Sequence, residues 1–208
     1  MVKLITLISA LAGMSTAVLA APTSGVTITV KNSCSKSIQV NQLTNTVGNH
    51  KATTLAAGSS TSINVDSTWG GRIWAREGCS GSTDCDGSAP ASLAEFLLSG
   101  AISIAPNSGT ANGYDCGAPA CSSLPKCPSE LQEKDASGNV IACKSACAAY
   151  GTDEYCCTGA YAGRGDCGTN SFATAVKAVC PNVYTYPHDD STSMYACSPA
   201  SGYTVTFC

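Results

Sequence analysis

The segment VTITV at positions 26–30 alternates larger apolar residues with threonine. β-Branched residues in such alternation are typical of a strand with one buried face. Related segments recur at positions 60–65, 72–76 and 203–207, and the stretch 93–104 is more apolar. Glycine, serine and asparagine separate these short segments. The sequence therefore predicts a mainly β protein, a sandwich or flattened barrel rather than a parallel sheet.

The amino-acid composition indicates an oxidising compartment. The 208 residues include 14 cysteines, and only 12% of residues are charged, with a formal net charge of −3. Dense, even-numbered cysteine is typical of secreted, disulfide-held scaffolds. A hydrophobic fraction of 44% argues against disorder. The nearly balanced charge predicts no nucleic-acid partner.

The N-terminus has the pattern of a secretory signal peptide. Lys3 precedes a mainly apolar run from Leu4 to Leu19, and VLA at positions 18–20 matches a signal peptidase site. We therefore predict a signal peptide over residues 1–20 and a mature domain over residues 21–208, located outside the cell or in the cell wall. No later stretch of the sequence is apolar enough to predict a membrane span.

The sequence changes character after about position 107. Ten cysteines lie between Cys116 and Cys197, in a region with little clean alternation. This pattern predicts a loop-rich subdomain held by disulfides. Two short helices are expected within it, at positions 141–150 and at 172–179, the second capped by Ser171.

Metal and cofactor sites are not predicted. Closely spaced cysteines can bind zinc in a reducing compartment, but the signal peptide favours disulfides here. His50 and His188 form neither a metal-site pattern nor a catalytic triad pattern. We therefore expect no metal and no cofactor. Since no coiled-coil heptad is present, we expect a monomer.

Seven short motifs occur in a characteristic order along the chain. They are VKNSC at 30–34, GRIWAR at 71–76, LAEF at 93–96, SAC at 145–147, EYCC at 154–157, YPHDD at 186–190 and YTVTFC at 203–208. In this order and spacing they resemble the thaumatin-like protein family over residues 25–208. The resemblance implies a flattened β-sandwich, at about 25–115 and 198–208, and a disulfide-rich region of loops and helices at about 116–197. It also implies a small third domain, and a cleft between the first two.

The resemblance also implies a disulfide pairing. The implied pairs are Cys34–Cys208, Cys116–Cys197, Cys121–Cys180, Cys127–Cys143, Cys147–Cys156 and Cys157–Cys167. Between positions 76 and 93 the family has four cysteines, whereas this chain has Cys79 and Cys85. We expect these two to pair, which gives seven bridges in a trimmed member of the family.

Members thought to act on glucans carry one arginine, one glutamate and three aspartates in the cleft. By resemblance, Glu95 matches the glutamate and Asp189 matches the last aspartate. The arginine position is occupied by Thr53, the first of the other two aspartates is replaced by Ala101, and the second is missing from the loop at 106–109.

Glycoside hydrolysis needs two carboxyl groups, one acting as acid and one as base or nucleophile. We therefore predict Glu95 as the acid and Asp189 as its partner, with a structural role for Glu95 equally open. Three further aspartates could supply the second carboxyl group if the fold brings one near, namely Asp84, Asp86 and Asp115.

Sugar contacts are expected from aromatic and polar side chains. Trp69, beside two glycines in a predicted turn, is a candidate exposed platform, whereas Trp74 is expected to pack. Tyr186 and Asp190 are candidate substrate contacts in the YPHDD segment. Arg72 is expected to be solvated or ion-paired on its strand.

Three functions are compatible with this pattern. The first is a weak secreted endo-β-1,3-glucanase acting on cell-wall glucan. The second is a non-catalytic glucan-binding or antifungal defence module, which gains weight because three of the five cleft positions differ. The third is an inhibitor of extracellular hydrolases, an activity that some relatives show.

Overall fold

A computed structural model of the protein describes most of the chain from position 25 onward. The described residues are 25–77, 79, 91–98, 119–121, 123, 125–134, 136–163, 165–195, 197 and 202–208. Several sequence predictions fall outside them: the signal peptide, the strand continuation at 99–104, and residues Asp84, Cys85, Asp86, Ala101, Asp115 and Cys116.

Within the described residues, the first sheet has three strands and brings the first and last described strands together. Strand β1 (Gly25–Asn32) lies in its centre. It pairs antiparallel with β4 (Ser60–Asp66) and parallel with β9 (Gly202–Phe207). Ile28 and Val30 are fully buried, so the alternating pattern that predicted β1 marks its core-facing side.

As far as the described ranges show, the second sheet has four antiparallel strands in the order β3, β2, β5, β6. Their bounds are β2 (Ile38–Thr44), β3 (His50–Leu55), β5 (Gly70–Glu77) and β6 (Leu93–Leu97). β2 and β3 were not predicted. Ile38, Ile73 and Phe96 of this sheet pack with Ile28 and Val30 of the first sheet in one apolar core. The protein therefore has the predicted β-sandwich.

The region after the sandwich strands contains a small hairpin and short helices. The described elements are a 3-10 helix (Ser129–Leu131), β7 (Gln132–Lys134), β8 (Val140–Cys143), α1 (Ala146–Tyr150), α2 (Asp153–Cys156), a second 3-10 helix (Gly159–Tyr161), α3 (Ser171–Val179) and α4 (Asp190–Ser193). None of the helices in the described ranges is long and apolar enough to cross a membrane.

Both predicted helices differ from the structure at their N-terminal ends. The helix expected at 141–150 was partly wrong, because the chain continues as β8 to Cys143 before α1 begins at Ala146. The Ser145 hydroxyl accepts a hydrogen bond from the backbone N–H of Ala148 and so caps α1. The second helix, α3, is capped by Asn170 rather than by Ser171.

Five disulfides lie entirely within the described residues. They are Cys34–Cys208, Cys121–Cys180, Cys127–Cys143, Cys147–Cys156 and Cys157–Cys167, which are pairs that the family resemblance implies. Cys79 and Cys197 are also disulfide-bonded, and their expected partners lie outside the described residues. The Cys34–Cys208 bond spans 174 residues and fastens the C-terminal strand to the end of β1.

Candidate functional site: an aromatic-lined cavity beside the sandwich

A cavity of about 540 Å³ lies between the edge of the second sheet and the disulfide-rich region. Glu95 of strand β6 contributes to its wall from the sandwich side. The opposite wall comes from the segment 125–128, the start of α1, one face of α3 and the segment 184–187. Its position corresponds to the cleft expected from the family resemblance. Its size is in the range of pockets that enclose small ligands.

Apolar side chains form much of the lining. Leu131, Ala146 and Ala173 are buried and line the cavity. Their positions follow from local structure, because Leu131 ends a 3-10 helix while Ala146 and Ala173 lie in the first turns of α1 and α3. An apolar surface with a few polar groups at its edge is typical of small-molecule sites.

Four aromatic rings among the described residues contribute to the lining, namely Tyr155, Phe172, Tyr184 and Tyr186. The Tyr155 and Phe172 rings meet edge to face, with 5.9 Å between centroids. Tyr186 was predicted from the sequence, whereas Tyr155 and Phe172 were not. Tyr155 lies between a glutamate and two cysteines in the EYCC motif, so its place in the lining became visible only with the fold.

Glu95 lies on β6, at the edge of the sheet as the described residues show it, and is largely solvent-exposed. Its carboxylate is 3.9 Å from the guanidinium of Arg72, its cross-strand partner on β5, and 64% of the Glu95 side chain is exposed. An ion pair in this setting contributes about 0–1 kcal/mol to stability. Glu95 is therefore free to meet a ligand, and Arg72 is ion-paired as expected.

The described lining is not acidic. Glu95 is its one carboxylate, and it is accompanied by the ammonium groups of Lys126 and Lys144. Lys144 is 2.9 Å from Glu133, which neutralises much of its charge. With Lys144 paired to Glu133, the described wall carries one anion, Glu95, and one other cation, Lys126. This balance agrees with the replacement of cleft acids that the family resemblance implies.

Asp189 is buried behind the segment that lines the cavity. Asp189 is 4% exposed, and it is not among the described lining residues. Oδ2 of Asp189 accepts hydrogen bonds from the backbone N–H of Thr185 (3.0 Å), the Thr185 hydroxyl (2.9 Å) and the Ser193 hydroxyl (3.2 Å). Oδ1 accepts from the Thr192 hydroxyl at 2.6 Å. The ammonium of Lys177, in the last turn of α3, lies 3.0 Å from Oδ2.

These contacts determine the protonation state of Asp189. Burial acts to raise the pKa of Asp189, but hydrogen bonds from Thr192, Lys177 and Thr185 outweigh burial and hold the pKa below its usual value. Hydrogen bonds to the charged form favour that form. Asp189 is therefore an ionised, internally solvated carboxylate at neutral pH.

The tyrosines of the 184–190 segment remain protonated. Burial and a hydrogen bond to Asp190 raise the pKa of Tyr184 to about 12. Burial, followed by the charges of Asp189 and Asp190, also raises the pKa of Tyr186. The Tyr184 hydroxyl donates to Oδ1 of Asp190 at 2.8 Å and accepts from the backbone N–H of His188 at 2.9 Å. Asp190 thus holds the Tyr184 hydroxyl, while Tyr186 lines the cavity.

The structure corrects the expectation of an exposed platform at Trp69. Trp69 is 8% exposed and belongs to the sandwich core, where its ring meets Phe96 at 5.9 Å. Its indole N–H donates to the Thr44 hydroxyl at 3.0 Å. The neighbouring glycine, Gly71, lets the ring fold over the strand instead of pointing to solvent. Trp74 is packed as expected, with its ring stacked on His50.

The fold and the site define a class of protein: a disulfide-held β-sandwich with an aromatic-lined cavity against its disulfide-rich region. A model of the Thaumatin family matches residues 32–208, and the chain belongs to this family. It is 39% identical over 189 residues to a pathogenesis-related thaumatin-like protein 3.5 from Cryptomeria japonica, covering 74% of this chain and 77% of the relative.

Two further relatives cover more of the chain. A thaumatin-like protein 1 from Pyrus pyrifolia is 34% identical over 221 residues, covering 86% of this chain and 89% of the relative. A Prunus avium protein named glucan endo-1,3-beta-glucosidase is 32% identical over 223 residues, covering 88% of this chain and 90% of the relative. The family thus includes a relative named as a glucanase.

Proposed function

We propose that this protein is a secreted, monomeric module that binds β-1,3-glucan of cell walls in the cavity between its sandwich and its disulfide-rich region. The observation that carries the proposal is the cavity lining, where four aromatic rings surround a space whose described wall has one carboxylate. Binding without efficient cleavage fits this lining better than hydrolysis does. An antifungal or defence role is consistent with such binding.

Aromatic rings suit a sugar ligand because a pyranose ring has an apolar face as well as hydroxyl groups. Tyr155, Phe172 and Tyr186 provide apolar ring surface, and the tyrosines add a polar end. Since burial raises the pKa of Tyr186, its hydroxyl stays protonated at neutral pH and can donate a hydrogen bond to a sugar oxygen, whereas the Tyr184 hydroxyl already donates to Asp190.

The surroundings of Asp189 argue against efficient hydrolysis through a Glu95–Asp189 pair. A base or nucleophile needs a lone pair directed at water or at the sugar. The Asp189 carboxylate already accepts from three hydroxyls, one backbone N–H and an ammonium. Its lowered pKa also excludes it as the acid at neutral pH.

Weak endo-β-1,3-glucanase activity is the second candidate function. Two observations favour it: Glu95 lines the cavity with most of its side chain exposed, and a relative that is 32% identical is named glucan endo-1,3-beta-glucosidase. In this case Glu95 acts as the acid, and the second carboxyl group comes from Asp189 or from another aspartate of the chain.

One experiment separates the two functions. The purified mature protein is tested for co-sedimentation with insoluble β-1,3-glucan, and for release of reducing sugar from soluble β-1,3-glucan. We expect retention on β-1,3-glucan, weaker retention on cellulose as a β-1,4-linked control, and no release above background.

If the wild type releases reducing sugar and Glu95→Gln does not, the protein is a glucanase and the binding proposal is wrong. Failure to co-sediment with β-1,3-glucan, together with absence of release, would reject both.

A further inference from the structure

An exposed tyrosine continues the aromatic lining of the cavity to the outer surface. Tyr150 is the last residue of α1, and its ring centroid lies 5.2 Å from that of Tyr155 and 5.7 Å from that of Phe172. Both neighbouring rings line the cavity. Tyr150 itself is 40% exposed. The three rings therefore form a continuous aromatic surface from the cavity wall to solvent.

A carboxylate lies beside the exposed end of this surface. The Tyr150 hydroxyl is 3.5 Å from Oε1 of Glu130, an exposed residue of the first 3-10 helix. Hydrogen bonds from its own backbone N–H and from the Ser129 hydroxyl lower the pKa of Glu130. The next residue, Leu131, lines the cavity. Glu130 thus presents an ionised hydrogen-bond acceptor to solvent, next to an exposed ring and one residue from the cavity lining.

A polysaccharide is longer than the cavity that holds part of it. A space of about 540 Å³ encloses a ligand of ordinary small-molecule size. The rest of a glucan chain must therefore pass over the rim. A ring in contact with the lining rings, with a carboxylate next to its hydroxyl, offers the two groups that a sugar unit uses: an apolar surface and a hydrogen-bond acceptor.

We propose that Tyr150 and Glu130 form a second glucan-contacting subsite outside the cavity, which binds a sugar unit of the chain as it leaves. This inference rests on the proposed function, since it assumes that the cavity holds β-1,3-glucan. It adds a length requirement: the ligand is a long oligosaccharide or a polysaccharide, because a short sugar fills the cavity without reaching Tyr150.

The test measures affinity against sugar length. Titration calorimetry with β-1,3-linked disaccharide and hexasaccharide is performed on the wild type, Tyr150→Ala and Glu130→Ala. Tyr161→Ala is the matched control, because Tyr161 is also an exposed tyrosine of a short helix (38%) and is not among the described lining residues. Far-ultraviolet circular dichroism and a thermal scan establish that each variant is folded.

We expect Tyr150→Ala to weaken hexasaccharide binding by roughly 2- to 12-fold, the range for one aromatic contact. Disaccharide affinity should stay at the wild-type value, and Tyr161→Ala should match the wild type with both sugars. Glu130→Ala should weaken hexasaccharide binding alone. Because Glu130 is exposed, this variant tests the subsite even if Tyr150→Ala does not fold.

Two results would overturn the subsite while leaving the proposed function intact. One is that folded Tyr150→Ala and Glu130→Ala bind the hexasaccharide as tightly as the wild type does. The other is an equal loss for disaccharide and hexasaccharide, which would mean that Tyr150 acts by packing against the lining rings. If the wild type binds neither sugar and no insoluble β-1,3-glucan, the proposed function itself fails, and the subsite with it.

Discussion

Replacing Lys177 by methionine removes the cation from a buried ion pair while keeping a side chain of similar length. The Lys177 ammonium lies 3.0 Å from Oδ2 of Asp189. It also donates to the Thr192 hydroxyl at 2.9 Å, to the Ser193 hydroxyl and to the carbonyl oxygen of Pro181 at 3.2 Å. The substitution leaves Asp189 charged and buried, with neutral donors only.

The expected loss of stability follows from how buried each partner is. Removing one partner of a fully buried ion pair costs about 3–5 kcal/mol. Here the Asp189 side chain is 5% exposed but that of Lys177 is 21% exposed. Three hydroxyls and one N–H also continue to donate to the carboxylate. We therefore expect a smaller loss of stability than for a fully buried pair, about 2–3 kcal/mol at pH 7.

The pH dependence of this loss identifies its origin. The pKa of Asp189 is lowered in the folded protein, so its ionised form contributes stability above its unfolded pKa of about 3.9, and this contribution is lost as pH falls through the folded value. Once Asp189 is protonated, Lys177 no longer pairs with a buried charge. The difference between wild type and Lys177→Met should therefore be large at pH 7 and smaller near pH 2.

Equilibrium urea unfolding with the disulfides intact measures the difference at both pH values. In thermal scans at pH 7, the expected loss corresponds to a melting temperature lower by about 4–12 °C. Lys51→Met, at an exposed position of β3, is the control and should change stability by less than about 0.5 kcal/mol. A loss for Lys177→Met below that value at pH 7, or one that is the same at pH 2, would refute the argument.

Three further substitutions test the fold. Gly71→Ala should destabilise by more than about 2 kcal/mol in urea unfolding, because a Cβ there would overlap the buried Trp69 ring. Asn170→Ala should cost about 1 kcal/mol, since the Asn170 side chain accepts two backbone N–H groups at the start of α3. Removing the Cys34–Cys208 disulfide by double serine substitution should cost about 5 kcal/mol, because the bond closes a loop of 174 residues.

Matched variants make these three predictions specific. Gly165→Ala should be nearly neutral, since no described atom beyond the adjacent residues lies within 4 Å of the added methyl group, whereas an equal loss at both glycines would reject the steric argument. Asn170→Ser should retain most of the cap, and a loss as large as that for alanine would contradict capping. Removing Cys147–Cys156, separated by 9 residues, should cost only about 2.6 kcal/mol. Equal costs for the two disulfides would contradict the dependence on loop length.

Periodicity predicted part of the sandwich, for reasons visible in particular strands. β1 and β9 carry clean alternation, and both lie in the first sheet. β2 was missed although it is a central strand, because its outer face buries Gln39 and Asn41, each fully. Because polar residues are rarely fully buried, a hydrophobicity pattern does not predict a strand whose second buried face is polar. β3 was missed because HKATTL has one large apolar residue, Leu55.

The site was predictable where a motif carried it and not where distant segments meet. Glu95 and Tyr186 follow from LAEF and YPHDD, and both line the cavity. Phe172 is not part of any such motif. It lines the cavity because of how α3 is oriented, which the sequence does not reveal. The environment of Asp189 could not be read in full from its neighbours in sequence either, because one of its partners, Lys177, comes from α3, twelve positions earlier.

The two carboxylates carried over from the family resemblance therefore differ in what they can report about function. Asp189 holds the 184–190 segment in place through buried contacts, so a binding module requires it as much as an enzyme does. Substituting Asp189 would perturb the cavity wall in either case. Glu95 is largely exposed, and the ion pair that it forms with Arg72 in the described part of the chain is weak, so Glu95→Gln should change stability by less than about 0.5 kcal/mol. A change in glucan cleavage or binding caused by Glu95→Gln can thus be assigned to the loss of the carboxylate from the cavity and not to a loss of stability. Glu95 is therefore the residue whose substitution distinguishes a glucanase from a binding module.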